Sequence, residues 1–414
     1  MKNKMNIIKN AIMLYGMSFA KMIFPLLTLP YLTRILSVDS YGAVAYVKST
    51  MSFLQVIVDF GFMLSGTKEI VECNNDEQRI GVVAGDIVLA RILVAGICFL
   101  GLLVTVFLVP ILSKFKLYTI LSFGSVFLSI FLLDYLFRGI EKMEIITIRY
   151  VFMRGISTLL TFIFVKSDKD ILLIPILDLI GSLAAIVLVF KELKILNINI
   201  RISSLKNILK ELKVSCVYFT SNMASTIFAA ANTLIIGMTL STSDVAYWSV
   251  CIQLVNAVQA LYTPITDAIY PEMIKQKNIN LVGKISITFF PLLLLGCVFT
   301  FITARWDLLI IAGEKYVSGY KILRLLIPVL FFSFYSILLG WPTLGAIQKE
   351  TQVMKTTIFS ALFQLLGFII LRKMNMFIIS NIAILRSLTE FALVSTRFIY
   401  VLKYRKSFNA EVIK

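Results

Sequence analysis

About a dozen continuous apolar runs, each roughly 20 residues long, constrain this 414-residue chain more than any other feature. A helix needs about 20 apolar residues to cross a bilayer, and these runs lack the alternation of membrane barrel strands. With 59% apolar and 15% charged residues, the chain could not hide its apolar side chains in one water-soluble core. The sequence therefore predicts an all-α polytopic membrane protein with about 12 transmembrane helices, in two six-helix bundles around a central cavity.

The longest polar loop divides the apolar runs into two sets of six. It predicts an N-terminal six-helix bundle over residues 1–190, a cytoplasmic linker over 191–213 and a C-terminal six-helix bundle over 214–414. Two similar sets of spans in one chain are typical of transporters.

The linker carries apolar residues at helical spacing, interleaved with lysines. These apolar residues are Leu205, Ile208, Leu209 and Leu212. The pattern predicts a short amphipathic helix on the cytoplasmic membrane surface, and a solvated linker helix fits the same pattern.

Lysine and arginine indicate the orientation of the chain. If the chain begins on the cytoplasmic side, the tails and the inner loops, including 191–213, hold most of the basic residues outside the spans. Cytoplasmic loops are enriched in these residues, so we expect both termini to be cytoplasmic. The formal net charge of +17 is then a property of these loops and does not indicate nucleic acid as a partner.

Several classes of chemistry are absent from the sequence. The chain contains no histidine, and its five cysteines form no CxxC pair. Histidine acid–base catalysis and histidine metal sites are therefore excluded. No P-loop occurs, so direct drive by ATP is not supported. The sequence predicts no catalytic residues, no metal site and no cofactor.

Charged side chains inside the predicted spans are the clearest functional signal. Each would cost roughly 2.5–3.5 kcal/mol at the centre of a lipid-facing helix, so they must be paired, near an interface or facing water. Lys21 lies near the middle of its run, and we expect it to face a polar cavity, with a private ion pair as the alternative. Arg386 and Glu390 are four residues apart, which predicts a structural pair. Asp134 and Arg149 lie near predicted span ends, where snorkelling or capping would explain them.

Four stretches of the first half carry a recognisable pattern. They are PYLTRILSVDSYG at 30–42, DFGFMLSGTKEI at 59–70, LFRGIEKMEIITIRYVFMR at 136–154 and FVKSDKDILLIP at 164–175. Together they resemble the bacterial polysaccharide flippases of the Wzx type, within the multidrug/oligosaccharidyl-lipid/polysaccharide exporter superfamily. Arg138 departs from the family pattern, in which glutamine is expected. In the second half the resemblance rests on span count and a weak internal repeat.

This resemblance implies a function and a location. The family moves undecaprenyl-pyrophosphate-linked oligosaccharides, such as O-antigen units, between the leaflets of the bacterial inner membrane. The chain would then work among inner-membrane lipids, with a polysaccharide polymerase and a chain-length regulator as further candidate partners.

The resemblance also selects candidate residues, because the matching half contains four cations within its spans. Lys21, Lys48, Arg91 and Arg154 are therefore predicted to bind the substrate's pyrophosphate. Three carboxylates in the spans are candidates for coupling to a proton or sodium gradient. They are Asp59, Asp178 and Glu390.

Two other functions compete with a flippase. A drug/cation antiporter of the same superfamily would need an acidic cavity, and Lys21 argues against one. A membrane-embedded polysaccharide polymerase or glycosyltransferase would usually carry a large catalytic loop, whereas the predicted outer loops are all short.

Overall fold

The computed structural model describes the backbone of residues 2–74 and 76–408. The side chains outside its description are at 1–8, 11, 75, 205, 206, 210, 217, 218, 220–231, 267 and 409–414. Every regular element of the described residues is a helix. The chain divides into two compact units, Met1–Thr226 and Ile227–Lys414.

The first unit is built from helices, some of which pack against helices distant in the sequence. They are α1 Lys2–Ile35, α2 Val38–Asp59, α3 Phe62–Glu72, α4 Glu77–Leu108, α5 Pro110–Lys114, α6 Lys116–Leu128, α7 Asp134–Gly139, α8 Met143–Phe164 and α9 Leu173–Ile195. Helix α8 packs against both α1 and α9, and α9 also packs against α6. Residues that face the two sides of α8 can therefore meet residues of α1 and α9.

Helix α10, Leu205–Thr239, begins in the first unit and ends in the second. The helices of the second unit after it are α11 Thr242–Ala260, α12 Tyr262–Gln276, α13 Ile279–Ala312, α14 Tyr320–Leu338, α15 Glu350–Lys373 and α16 Ile379–Lys403. Helix α14 packs against α11, α13 and α16. Its Phe334 and Leu338 are fully buried and form the centre of an apolar core with Tyr262 and Met273.

Ten helical segments of the described residues are long and apolar enough to cross a membrane. They are Ile12–Ile35, Val38–Glu72, Glu77–Leu108, Lys116–Gly139, Met143–Phe164, Leu173–Ile195, Thr242–Gln276, Ile279–Ala312, Glu314–Ile347 and Glu350–Lys373. Helix α16 is not among them because its Arg386, Glu390 and Arg397 lower its mean hydropathy. Helix α10, which contains undescribed side chains, is also not among them. The all-helical membrane architecture is confirmed, and the count of twelve spans stays a prediction.

Two spans are interrupted where the backbone enters the left-handed region. Phe60 and Gly61 have φ angles of 42° and 79°, and they separate α2 from α3. Leu133, with φ 52°, precedes α7. A non-glycine residue is uncommon there, so Phe60 and Leu133 are held by their surroundings. The first break leaves Asp59 as the last residue of α2.

The chain between α9 and α10 is anchored to α4. The Asp86 carboxylate accepts hydrogen bonds from the backbone N–H of Ser203 at 2.8 Å and from its hydroxyl at 2.6 Å. A Cβ atom at Gly85 would lie 2.0 Å from the carbonyl oxygen of Arg201, so the close approach requires glycine there.

The predicted linker helix is the first part of α10, which continues to Thr239. The predicted helix is therefore shorter than the observed one, because the apolar pattern continues without a helix-stopping residue. Ile208 is buried in the core of the first unit and Leu212 packs against that core, whereas Leu209 is exposed. At Ile208 the apolar face of α10 therefore packs against the protein core.

Candidate functional site

Tyr150 on α8 contacts two of the predicted substrate-binding cations. The ammonium Nζ of Lys21, on α1, lies 5.5 Å from the centroid of the Tyr150 ring. At that distance a cation is attracted by the negative face of the ring. The guanidinium of Arg154, one turn further along α8, interacts electrostatically with the Tyr150 hydroxyl. Lys21 and Arg154 therefore lie in the same region of the first unit.

Arg154 forms an ion pair with Asp178 of α9. Its Nη1 lies 3.1 Å from Oδ1 of Asp178, and the Ser157 hydroxyl donates a 2.5 Å hydrogen bond to the same oxygen. The side chains of Arg154 and Asp178 are 38% and 32% exposed. The protein therefore does not fully enclose this pair.

Lys48 on α2 is close enough to interact electrostatically with both Arg154 and Asp178. Its side chain is exposed. Among the described side chains, no carboxylate lies within ion-pair distance of its ammonium. Three of the four predicted substrate-binding cations are thus gathered on α1, α2 and α8.

We call Lys21, Lys48, Tyr150, Arg154 and Asp178 the cation site. These five residues carry three cations and one carboxylate, a formal excess of two positive charges, and Asp59 also lies close enough to Lys21 to interact with it electrostatically. An excess of positive charge inside candidate membrane spans is costly in hydrocarbon. Such an excess would need water or a bound anion to balance it.

The fourth predicted cation, Arg91 of α4, has a different environment. Its side chain is 6% exposed, and its Nη2 lies 2.5 Å from Oδ1 of Asp59. The same carboxylate oxygen accepts a 3.0 Å hydrogen bond from Gln55, whose amide also donates to Ser129 at 2.8 Å. Arg91 is therefore committed to Asp59, and the structure does not bring it into the cation site.

Asp134 and Arg149 form a second buried pair near Asp59. The Arg149 side chain is 3% exposed and donates to both the Asp134 carboxylate and the carbonyl of Leu132. The sequence predicts snorkelling or capping for these residues. Snorkelling is wrong for Arg149, because its guanidinium is held inside the protein, whereas its bond to the carbonyl of Leu132 caps the 3-10 helix Ser129–Leu132. Asp59 and Asp134 line one cavity of about 70 Å³. That volume can hold several water molecules, since one needs roughly 10–15 Å³.

The second unit contains the third predicted ion-coupling carboxylate, Glu390. One of its oxygens accepts a 2.7 Å hydrogen bond from Arg386, and the other accepts a 2.6 Å hydrogen bond from Ser336. The side chains of Arg386 and Glu390 are 12% and 4% exposed. The predicted structural pair between them is present. Arg397, about two turns after Glu390 on α16, donates to the carbonyl of Ser336 and to Thr357.

Sequence analysis does not select Tyr150, a member of the cation site, or Ser157, which is its neighbour. Tyr150 and Ser157 lie four residues before and three residues after Arg154, so all three share a face of α8. This spacing could have identified them. Gln55 could have been found likewise, because it lies four residues before Asp59.

Two of the family-like stretches meet at one end of the first unit. The hydroxyl of Tyr31 donates to the carbonyls of Phe162 and Val165, at 2.9 and 2.8 Å. The backbone N–H of Ser37 donates to the carboxylate of Asp168 at 2.8 Å. The stretches at 30–42 and 164–175 therefore join the end of α1 to the turn between α8 and α9.

The same turn contains Asp170, whose carboxylate caps it. Asp170 accepts hydrogen bonds from the backbone N–H of Lys166 at 3.1 Å and from the N–H and hydroxyl of Ser167 at 3.0 Å. These donors, the Lys166 N–H first, lower the pKa of Asp170 below its ordinary value.

Comparison with known sequences gives one family and two relatives. The sequence profile of a family described as polysaccharide biosynthesis protein matches residues 7–277. A protein of Shigella dysenteriae designated an O-antigen transporter is 28% identical over 283 residues, which are 67% of this chain and 70% of that protein. A protein of Escherichia coli with the same designation is 27% identical over 276 residues, which are 66% of each chain.

Comparison with solved structures gives the fold. A structure of the lipid II flippase MurJ in an inward closed conformation aligns with a TM-score of 0.71 at 13% identity, over 95% of this chain and 87% of that chain. An inward-facing MATE family transporter of the MOP superfamily aligns with a TM-score of 0.68 at 13% identity, over 95% and 99%. The fold is that of these transporters, and none of these matches indicates an enzyme family.

Proposed function

We propose a function from one premise: the chain belongs to the polysaccharide biosynthesis protein family and is a multi-pass membrane transporter. On this premise it is a flippase for an undecaprenyl-pyrophosphate-linked oligosaccharide, such as an O-antigen repeat unit. It moves this lipid from the inner to the outer leaflet of the bacterial inner membrane by alternating access. The observation that carries the proposal is the cation site.

The physical problem for such a transporter is the head group of the lipid. Phosphates and sugar hydroxyls lose their hydrogen bonds to water in hydrocarbon, and each unpaired charge or polar group costs several kcal/mol or more. A hydrated protein site with fixed cations replaces part of that hydration, while the polyprenyl chain stays among lipids. The net charge of the cation site has the sign that a pyrophosphate diester requires.

Each cation has a role in this proposal. Arg154 presents a planar guanidinium, which can donate two hydrogen bonds to one phosphate. Lys21 and Lys48 add point charges from α1 and α2. Arg91 is left out of the binding set, because its guanidinium is buried against Asp59.

The three candidate ion-coupling carboxylates differ in how accessible they are to a proton or a sodium ion. Asp59 and Asp178 are each about one third exposed, and Asp59 also lines a small cavity. Glu390 is buried with both oxygens occupied. We therefore favour Asp59 and Asp178 over Glu390 for coupling to a proton or sodium gradient.

The orientation and the number of spans also belong to the proposal. Helices α10 and α16 would bring the ten candidate spans to twelve and leave both termini in the cytoplasm. Ile202 is 60% exposed, so a cysteine there would react with any reagent that reaches it. In a chain without other cysteines, Ile202→Cys should resist an impermeant thiol reagent in intact cells, whereas Lys169→Cys should be labelled. The reverse pattern would invert the orientation.

A drug/cation antiporter is the second candidate function, and only the fold supports it. The aligned MATE transporter shares the fold at 13% identity. A cationic drug would be repelled by a site with a net charge of two positive, so the flippase accounts better for this chain.

Substitution of Lys21 tests whether this residue binds the substrate. Lys21→Ala should abolish transport while the protein inserts at normal levels, and Lys21→Arg should retain much of it, because a cation can still lie over the Tyr150 ring. Full activity of Lys21→Ala would remove Lys21 from the site. Lys68→Ala is a suitable control, since Lys68 is an exposed lysine paired with Glu72.

Deletion of the gene tests the function itself. Loss of a flippase should leave completed lipid-linked units on the cytoplasmic side and remove long surface polysaccharide. Loss of a polymerase would instead leave single units at the surface, and loss of a glycosyltransferase would leave truncated units inside. Either of these outcomes would reject the flippase.

A further inference from the structure

Three carboxylates of the first unit pair with arginines. The three pairs differ in which of their side chains is accessible to a ligand. In Arg91–Asp59 and Arg149–Asp134 the arginine is almost fully buried, so only the carboxylate is accessible. In Arg154–Asp178 both side chains are about one third exposed. An incoming anion can therefore reach the guanidinium of Arg154 without unfolding anything.

Asp178 accepts a hydrogen bond from Arg154 at a place where a phosphate oxygen could accept one instead. Its Oδ1 accepts hydrogen bonds from the Arg154 guanidinium at 3.1 Å and from Ser157 at 2.5 Å. Carboxylate and phosphate oxygens bind a guanidinium with the same charge-assisted geometry. The groups that also act on Asp178 are Lys48 of α2, Tyr150 of α8 and Tyr118 of α6.

We infer that Asp178 is an internal counter-anion, which a phosphate of the transported lipid displaces from Arg154. This inference rests on the proposed function and deepens it. While the site is empty, Asp178 neutralises part of its charge. When a phosphate binds, Arg154 exchanges the carboxylate for a phosphate oxygen, and Asp178 keeps its hydrogen bond to Ser157.

The exchange has a consequence for transport. A carrier must bind its cargo tightly enough to load it and weakly enough to release it on the other side. A competing carboxylate beside Arg154 lowers the affinity for anions and assists release by recapturing the guanidinium. Asp178 is thus a residue that sets affinity, and its removal should strengthen binding.

The first experiment uses the full-length protein in lipid nanodiscs. The dissociation constants of undecaprenyl pyrophosphate and of inorganic pyrophosphate are measured for wild type and for Asp178→Asn. The variant should bind both probes roughly threefold to tenfold more tightly, since a partly exposed ion pair contributes only modestly. It should also transport more slowly, because release is slowed.

The matched control removes a carboxylate from an exposed pair elsewhere in the same unit. In Lys68–Glu72 the Nζ and Oε1 atoms are 3.8 Å apart and both side chains are well exposed. Glu72→Gln should bind the probes like wild type. If it tightens binding as much as Asp178→Asn does, the effect is one of total charge and the inference is overturned.

A second experiment on wild type covers the case in which Asp178→Asn fails to fold. Phenylglyoxal modifies accessible arginines, and mass spectrometry measures the rate at each site. Inorganic pyrophosphate should protect Arg154 at least threefold, while the buried Arg91 and Arg149 stay unmodified with and without it. Equal modification of Arg154 in both conditions would overturn the inference.

The outcomes also separate this inference from the proposed function. If wild type binds undecaprenyl pyrophosphate but Asp178→Asn binds it equally or more weakly, Asp178 is only a structural partner of Arg154 and the flippase stands. If wild type binds neither probe, the cation site is not a phosphate site, and both proposals are overturned.

Discussion

The ion pairs Arg154–Asp178 in the first unit and Arg386–Glu390 in the second contain the same chemical groups in contrasting surroundings. The first joins two helices, is about one third exposed and has Lys48 nearby as an additional cation. The second lies within one helix, is almost fully buried and has its second carboxylate oxygen occupied by Ser336. Charge within a span therefore indicates binding only where it is accessible and unbalanced.

The second unit uses its buried charges to join helices. Through Ser336, Glu390 of α16 is bonded to α14, and Arg397 bonds α16 to the same serine's carbonyl and to Thr357 of α15. A Cβ atom at Gly340 would lie 2.8 Å from Nη1 of Arg397, so glycine leaves space for the guanidinium. These contacts have the character of a structural network.

Glu390→Ala should have the largest effect on stability. The substitution removes the carboxylate that pairs with Arg386 and accepts a hydrogen bond from Ser336, and breaking a buried pair costs about 3–5 kcal/mol. We expect little folded protein, measured by size-exclusion profile and thermal unfolding in detergent. Arg386→Met combined with Glu390→Met should recover much of the loss, because no unpaired charge remains. A fully stable Glu390→Ala would contradict the structural role.

Arg91→Ala should have an intermediate effect on stability. It removes the buried partner of Asp59, but Asp59 is partly exposed and keeps its hydrogen bond to Gln55. We expect a loss of about 1–3 kcal/mol in unfolding free energy. Pyrophosphate binding by the protein that folds should be unchanged. A selective loss of binding at unchanged stability would return Arg91 to the binding set.

Arg154→Ala should have the opposite profile. The loss of one charge-assisted contact to phosphate is worth about 1.5–3 kcal/mol, which corresponds to roughly tenfold to a hundredfold weaker binding. Stability should change little, because Asp178 remains partly solvated and bonded to Ser157. Binding is measured by titration with undecaprenyl pyrophosphate. Arg154→Lys should recover only part of the affinity, since lysine cannot donate in a fork.

The turn that contains Asp170 should show the smallest effect. The pKa of Asp170 is lowered in the folded protein, so its charged form stabilises the fold above the pKa of the unfolded chain. That contribution is lost as the pH falls through the folded pKa. Thermal unfolding should therefore separate wild type from Asp170→Asn slightly at neutral pH and not at all in strong acid. A difference that grows on acidification would contradict the assigned sign.

The fold could be predicted largely from apolar run length, because crossing a bilayer requires continuous apolar helices. The helix breaks at Phe60 and Leu133 could not be predicted, since neither phenylalanine nor leucine is typical of a left-handed backbone conformation. The depth of Lys21 in its span predicts a residue that faces a polar cavity, and this stays a prediction. Its contact with Tyr150 could not be predicted, because it depends on how α1 packs against α8. Likewise, Arg91 and Arg154 look alike in sequence, and only packing separates a buried guanidinium from an accessible one.

The most direct test of this account is the rate at which the purified protein, reconstituted in liposomes, moves an undecaprenyl-pyrophosphate-linked oligosaccharide between leaflets. It should be measured for wild type and for the double variant Lys48→Ala/Arg154→Ala, at equal amounts of folded protein. The double variant should fall to the rate of protein-free liposomes while its thermal unfolding stays close to that of wild type. Movement at the wild-type rate by the double variant would contradict the assignment of the cation site as the place where the lipid's pyrophosphate binds.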